Sequence, residues 1–165
     1  MGKLYTVMET PWGYVIAVWS DAGLWEMSFP QSDVEKALAG IRTTHITEAA
    51  GHPLARQLAQ ELRSYFKGFA IVFDIPIDWS GYTPFQAAVL RYTNEIGYGQ
   101  VETYGQVARN INHSRASRAV GGALHINRTP VVVPCHRVIG ANGSLTGFGG
   151  GLDRKAALLL LEKNQ

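Results

Sequence analysis

The sequence predicts an α+β protein in two parts, an N-terminal antiparallel sheet with helices and a C-terminal helical part. Three observations carry this: alternating apolar residues over the first 30 positions, helical apolar spacing from residue 83 onward, and a change in the sign of charge between the halves. Residues 1–82 hold six Lys/Arg against nine Asp/Glu, whereas residues 83–165 hold nine against four. The boundary is placed at Trp79–Tyr82, which divides the chain into 1–80 and 81–165.

Leu4–Thr10, Tyr14–Ser20 and Leu24–Phe29 read as three strands joined by turns at Pro11–Gly13 and Asp21–Gly23. Ser32 followed by Glu35 reads as a capping box for a helix carrying Val34, Ala37, Leu38 and Ile41 on one face. A second helix opens at Pro53, lines up Leu54, Leu58, Leu62 and Tyr65, and stops near Gly68. Phe73, Ile75 and Ile77 alternate as a last strand.

In the second part, Thr83 caps a helix with Pro84 at its first position and Phe85, Val89 and Ile96 inward, broken by Tyr98–Gly99. Gly105–Ile111 forms a short helix, Asn112–His113 a turn, and Ser114 caps a further helix through Arg115, Arg118 and Val120 to about Ile126. Two short helices joined by a tight turn, the second bearing arginines, describe a helix-turn-helix. Pro130 and Pro134 bracket the stiff run Val131–Val133, which presents Cys135 in one direction. Asn142–Gly143 is a turn, and Gly147, Gly149, Gly150 and Gly151 surround Phe148 in a loop that a flat ligand can approach closely. Asp153 caps a final helix with Leu158–Leu161 packed and Glu162 on its last turn.

Composition narrows the classes. At 46% hydrophobic and 17% charged, the chain has a globular balance, and no apolar run approaches the ~20 residues of a membrane helix. Its start lacks a charged-then-apolar leader, so an intracellular, cytoplasmic protein is expected. A single cysteine excludes an internal disulfide and falls short of a structural zinc set, and neither metal nor cofactor is expected. Between Glu102 and Asp153 stand Arg109, Arg115, Arg118, Arg128 and Arg137 with no acid and no lysine. Such a stretch suits forked contacts to phosphate and points to a nucleic-acid partner, although a solvated basic face has the same composition.

Cys135 is the only thiol, and His136 and Arg137 follow it directly. A lone cysteine without context reads as a small core residue. Beside cationic neighbours it reads as a reagent whose pKa, ~8.5 in isolation, is pulled towards ~3.5–7.5. A pKa lower by ~1.5, about 2 kcal/mol, raises the thiolate from a few per cent to a major species at neutral pH. Cys135, His136 and Glu162 supply a thiol, a base and a group to orient the base, though spacing alone does not show that they meet. In an extended strand adjacent side chains point apart, so a water would bridge Cys135 and His136.

The run Pro134–Val138, with Arg118–Ala123 and Asn127 before it and the Gly147–Gly151 loop after it, resembles O6-alkylguanine-DNA alkyltransferases over residues 82–163. The resemblance implies a ribonuclease-H-like N-terminal domain and a winged-helix-like C-terminal domain with the helix-turn-helix. It implies a monomer, with cooperativity on DNA left open, that takes one alkyl group from O6-alkylguanine, and from O4-alkylthymine, in double-stranded DNA onto its own cysteine and is consumed. Cys135 would be the acceptor, held ionised at the mouth of a pocket for one extruded purine. His136 would be the base, Glu162 its orienting group, Asn127 part of the same network, and Tyr104 the proton donor to guanine N3. Arg118 would fill the gap left by the base, with Tyr104, Ser114, Arg115, Ala119, Gly121 and Arg128 also at the DNA, and Val138, Phe148, Gly149 and Gly150 around the guanine. His125 stands where many relatives carry arginine and Gly149 where some carry serine. Three rivals remain at this point: a non-catalytic reader of alkylated DNA, which Cys135 opposes; a cysteine hydrolase that turns over; and a sequence-specific helix-turn-helix regulator.

Overall fold

The computed structural model describes residues 2–145 and 151–163, which form two compact units, 1–79 and 80–165. In the first unit, β1 (Lys3–Thr10), β2 (Gly13–Ser20) and β3 (Gly23–Met27) form an antiparallel meander, as their alternation predicts. Gly23 must be glycine: its φ is +137°, and a Cβ there would stand 2.2 Å from the Pro76 carbonyl oxygen. β2 is one of the two inner strands, and Val15 through Trp19 are buried on both of its faces. Helix α1 (Val34–Ala39) lays Ala37 on Ile16 and Val18, while Leu58, Leu62 and Tyr65 of α2 (Ala55–Phe66) are buried where that helix packs on β1. Each such fully buried aliphatic side chain contributes roughly 1.5–3 kcal/mol.

Three expectations for this unit are corrected. Asp33, not Ser32, caps α1, its carboxylate accepting from the Lys36 N–H at 2.8 Å. α2 begins at Ala55, two residues after Pro53. The segment Phe73–Ile77 forms no strand and is joined to the sheet by a bridge between Leu24 and Ile77. The fourth strand is instead β4 (Ile46–Glu48), which pairs in parallel with β1 and gives the order β3-β2-β1-β4. Buried Glu26 anchors the chain leading to it, accepting from the backbone N–H groups of Arg42 and Thr43 and from the Thr43 hydroxyl.

The second unit opens with α3 (Pro84–Thr93), whose Thr83–Gln86 capping box closes both ways. A second box, Thr103–Gln106, starts α4 (Tyr104–Asn110), so that helix begins one residue before the expected Gly105 and places Tyr104 in its first turn. Residues 111–116 lead to α5 (Ser117–His125), and α3, α4 and α5 pack together around Val89, Leu90, Val107, Ala108, Val120, Ala123 and Leu124. Ser114 does not cap α5: a turn bonded from the Ala116 N–H to the His113 carbonyl delays the helix, and Ser114 is exposed. Cys135–Arg137 form one turn of 3₁₀ helix in place of the expected strand, followed by β6 (Val138–Ile139), which pairs in parallel with β5 (Glu102–Thr103). The last helix, α6 (Leu152–Lys163), carries Asp153 inside its first turn, not at its cap, and buries Leu158 while leaving Leu160 exposed. α3 and α6 both contact the 3₁₀ turn, so the site that follows is built from three separate pieces of chain.

Candidate active site

The thiol sits in a strained and tightly bonded segment. Val131 has φ +72°, a left-handed conformation that costs a β-branched residue of order 1–3 kcal/mol and is held here by complete burial. The Cys135 N–H donates to the Val133 carbonyl at 2.8 Å, and the Arg137 N–H to the Pro134 carbonyl at 2.9 Å, which winds the 3₁₀ turn. Asn127 steadies the same segment, donating from Nδ2 to the Val133 carbonyl at 2.9 Å while its Oδ1 accepts from the Thr129 N–H at 3.0 Å.

His136 and Glu162, 26 residues apart, meet at 2.6 Å between Nε2 and Oε2, both buried. The Glu162 carboxylate is held from every side. Arg137 donates Nε to Oε1 at 2.9 Å and Nη2 to Oε2 at 3.0 Å, and the Gly99 N–H donates to Oε1 at 3.1 Å. Arg137 also donates Nη1 to the Ile96 carbonyl at 2.6 Å, with its guanidinium 5.7 Å from the Tyr98 ring. A forked, charge-assisted pair of this kind fixes the carboxylate's orientation as well as its charge. With Nε2–H given to Glu162, a neutral His136 carries its lone pair on Nδ1, the tautomer required of a base.

Electrostatics correct one expectation. Burial of Cys135, 7% exposed, pushes its thiol up to about 11, and the opposing pulls of the Asn127 hydrogen bond, the Lys155 charge and the Cys135 and His136 backbone N–H groups do not compensate. The resting group is therefore a thiol and not a thiolate, because desolvating the sulfur anion outweighs the nearby donors. Burial likewise pushes His136 down, against the Glu162 carboxylate that favours its protonation and with the Arg137 and Lys155 charges that oppose it. A neutral thiol next to a neutral imidazole is the ground state of this site.

Arg137 and Lys155 join the site without having been picked out for it. Arg137, expected among the phosphate-directed arginines, is buried on Glu162, and the sequence hint was its place two residues after the thiol. Lys155, 1% exposed, donates to the Val138 carbonyl at 2.7 Å and reaches the Tyr104 hydroxyl at 3.5 Å. Val138 is itself fully buried, and Phe148, Gly149 and Gly150 lie outside the described residues. Arg128 is half-buried, with its guanidinium 4.1 Å from the Tyr82 ring and Nη2 donating to the Ser80 carbonyl at 2.8 Å.

A different surface gathers the remaining candidates. Ser114, Arg115, Arg118, Ala119, Gly122 and His125 are exposed, and the last four recur at the spacing of one helical face along α5. Gly121 lies under Tyr104, where a Cβ would come within 3.8 Å of the ring. Among the described residues, no three His, Cys, Asp or Glu side chains cluster closely enough to hold a metal ion, and no helix is long and apolar enough to cross a membrane.

Comparison with known proteins identifies the family. Residues 84–164 match the family described as 6-O-methylguanine DNA methyltransferase, DNA binding domain. The chain is 38% identical to a methylated-DNA–protein-cysteine methyltransferase of Methanosarcina acetivorans, over 96% of this chain and 97% of that protein. It is 50% identical to one from Mycolicibacterium paratuberculosis over 63% of this chain and 62% of that protein. Among solved structures, Mycobacterium tuberculosis OGT in complex with DNA superposes with a TM-score of 0.83 at 35% identity, covering 98% of this chain and 93% of that one. With nearly the whole length matched on both sides at this identity, the chain belongs to the methylated-DNA–protein-cysteine methyltransferase family.

Proposed function

We propose that this protein repairs DNA by moving the alkyl group of O6-alkylguanine, and of O4-alkylthymine, irreversibly onto Cys135, once per molecule. The observation that carries this reading is the buried run from the Cys135 turn to His136 and on to a Glu162 carboxylate clamped by Arg137. Family membership and a relative solved with DNA support the choice of substrate.

The chemistry follows from the ground state. A neutral His136 can take the Cys135 proton, through a water, as sulfur attacks the alkyl carbon, and Glu162 then faces the imidazolium that forms. The sulfur–carbon bond forms as the carbon–O6 bond breaks, and Tyr104 gives a proton to the departing purine at N3. Asn127 holds the Cys135 segment in register, and Val138 lies beside the purine. Because the thiol is protonated at rest, it is spared from casual electrophiles until a substrate arrives. A stacked base keeps its O6 out of reach, so extrusion comes first, at a few kcal/mol, least for a poorly pairing alkylated guanine.

The second helix of the helix-turn-helix, α5, and the turn that leads into it supply the DNA contacts, with Ser114, Arg115 and Ala119 near the backbone, Gly121 admitting Tyr104 and Arg118 filling the vacated stack. Arg128 contributes by bracing this unit through Tyr82 and Ser80. The protein works in the cytoplasm as a monomer on double-stranded DNA.

Intact-protein mass spectrometry after mixing with an oligonucleotide carrying O6-methylguanine tests the reading. One methyl increment per chain is expected, with none in Cys135→Ser; an unchanged mass for the parent protein, or repeated turnover, would overturn it. For Arg118→Ala, transfer from duplex DNA should fall by about 10-fold or more, reflecting a lost share of the extrusion energy. Transfer from the free base O6-benzylguanine should stay within about 2-fold, since no extrusion is involved. Equal losses on both substrates would remove Arg118 from the extrusion step.

A further inference from the structure

The turn at Asn142–Gly143, which follows β6, carries a chemistry of its own outside the alkyl-transfer site. Of the six asparagines in the chain, Asn142 alone is followed by glycine. Both residues are exposed. Gly143 has φ +80°, and a Cβ built on it would meet nothing within 4 Å, so no side chain crowds the approach to its backbone nitrogen. Within the turn the Gly140 N–H donates to the Ser144 carbonyl at 2.8 Å, the Gly143 N–H to the Gly140 carbonyl at 2.9 Å, and the Ser144 N–H to Asn142 Oδ1 at 3.0 Å. The last of these polarises the side-chain carbonyl, because it reaches the oxygen on which charge gathers when the carbonyl carbon is attacked. Asn110 and Asn127 are placed differently: each gives its amide nitrogen to a partner, the Tyr92 hydroxyl at 2.6 Å and the Val133 carbonyl at 2.9 Å, and each is followed by a bulky residue, Ile111 or Arg128.

We propose that Asn142 is a site of spontaneous modification, where the side-chain amide is lost to give aspartate and isoaspartate, and that the carboxylate so formed loosens the protein's hold on DNA. The step balances. Solvent takes the proton of the Gly143 N–H, that nitrogen bonds to the side-chain carbonyl carbon of Asn142, and the bond from this carbon to Nδ2 breaks with release of ammonia. Water then opens the cyclic imide at either carbonyl. One opening leaves aspartate; the other routes the main chain through the side chain and lengthens the turn by one carbon. Water is the co-reactant, and no group is oxidised or reduced. The effect on DNA rests on the alkyl-transfer reading and is carried by charge. No acid stands between Glu102 and Asp153, a stretch with five arginines, so the new carboxylate is the first negative side chain in it. At ~10 mM salt the Debye length is ~30 Å, well beyond the roughly 12 Å radius of gyration expected for a unit spanning residues 80–165, so DNA bound to that unit feels the added charge.

Incubation of the whole protein in mildly alkaline buffer, followed by tryptic mapping, tests the modification. Trypsin releases Val138–Arg154, in which Asn142 is the single amide side chain. This peptide should gain the mass of OH exchanged for NH₂, faster at higher pH, in both aspartate and isoaspartate forms. Asn112, exposed but followed by His113, should lag by ~10-fold or more, since a side chain on the next residue hinders ring closure. Gly143→Ala should slow the gain by a similar ~10-fold for the same reason, and Asn142→Ser should abolish it. An unchanged Val138–Arg154 peptide in the parent protein, or an equal gain at Asn112, would overturn the assignment. Asn142→Asp isolates the charge with the normal backbone. Its Kd for undamaged duplex should be weaker than the parent's by about 2- to 4-fold at ~10 mM salt, and the gap should close to within ~1.5-fold at ~150 mM. Equal affinities at low salt would overturn the effect on DNA. A parent protein that binds no duplex would instead refute the DNA reading itself, an outcome that the mass gain at Asn142 does not touch.

Discussion

Glu162→Ala is expected to lower stability by about 3–5 kcal/mol, the range for removing one partner of a buried ion pair. The carboxylate accepts from His136, twice from Arg137 and from the Gly99 N–H, all within 3.1 Å. Without it the Arg137 guanidinium, 7% exposed, retains the Ile96 carbonyl but has lost its counter-charge. Urea unfolding should show a lower midpoint at an unchanged slope. Alkyl transfer should fall as well, because His136 loses the acceptor that fixes its tautomer. Replacing both partners, Arg137→Met with Glu162→Leu, should cost less stability than Glu162→Ala alone, since no charge is left buried by itself. A loss below about 1 kcal/mol for Glu162→Ala would mean that solvent reaches this carboxylate and that the clamp is not structural.

The second large effect is a loss of stability in alkali that depends on Cys135. The unfolded chain releases the thiol proton near its ordinary value of 9.0, whereas the folded protein holds it to about 11. Between these values the unfolded state binds fewer protons, so stability falls as pH rises. The difference between the two states is worth roughly 3 kcal/mol, fully present below about pH 9 and lost by about pH 11. Lys155, whose folded pKa is pushed down, acts in the opposite sense as pH approaches its unfolded value. The informative quantity is therefore the difference between the parent protein and Cys135→Ala, measured by urea unfolding from about pH 7 to about pH 11. It should narrow across that window; a constant difference would show that the thiol is not desolvated. The same burial predicts slow alkylation of Cys135 by iodoacetamide at neutral pH, beside rapid transfer from a substrate that fits the pocket.

These two results bear on the part of the site where local sequence is misleading. Arg137 beside a thiol suggests a cation that lowers its pKa, and its neighbours in composition suggest a phosphate contact. In the fold its fork is spent on Glu162, and the sulfur is governed by exclusion of water. Proximity along the chain reports neither effect, because burial and the direction of a guanidinium depend on helices α3 and α6, distant in sequence, closing on the 3₁₀ turn.

Elsewhere local signals sufficed or nearly so. The meander followed from alternation and from Gly13 and Gly23 at its turns. Thr83 with Pro84 marked the start of α3 correctly, whereas α4 starts one residue before the expected Gly105, on a Thr103–Gln106 box of the same spacing as Thr83–Gln86. Ser32 and Asp33 are both good caps, and only the geometry chose between them. β4 has three residues and no period to detect, while Phe73–Ile77 has a strand's period but pairs with the sheet at a single bridge, Leu24–Ile77.

The amino-acid order alone thus determined the two-part α+β plan, most helix positions, the single thiol with its adjacent histidine, and the presence of Arg115 just before α5 and Arg118 on it. Tertiary structure alone decided that Glu162 meets His136, that Arg137 clamps it, that Lys155 is buried beside the Tyr104 hydroxyl, and that burial pushes the thiol up. The reason is physical: hydrogen-bond periodicity and capping act over a few residues and are written locally, whereas desolvation and charge pairing depend on which distant segments exclude water together.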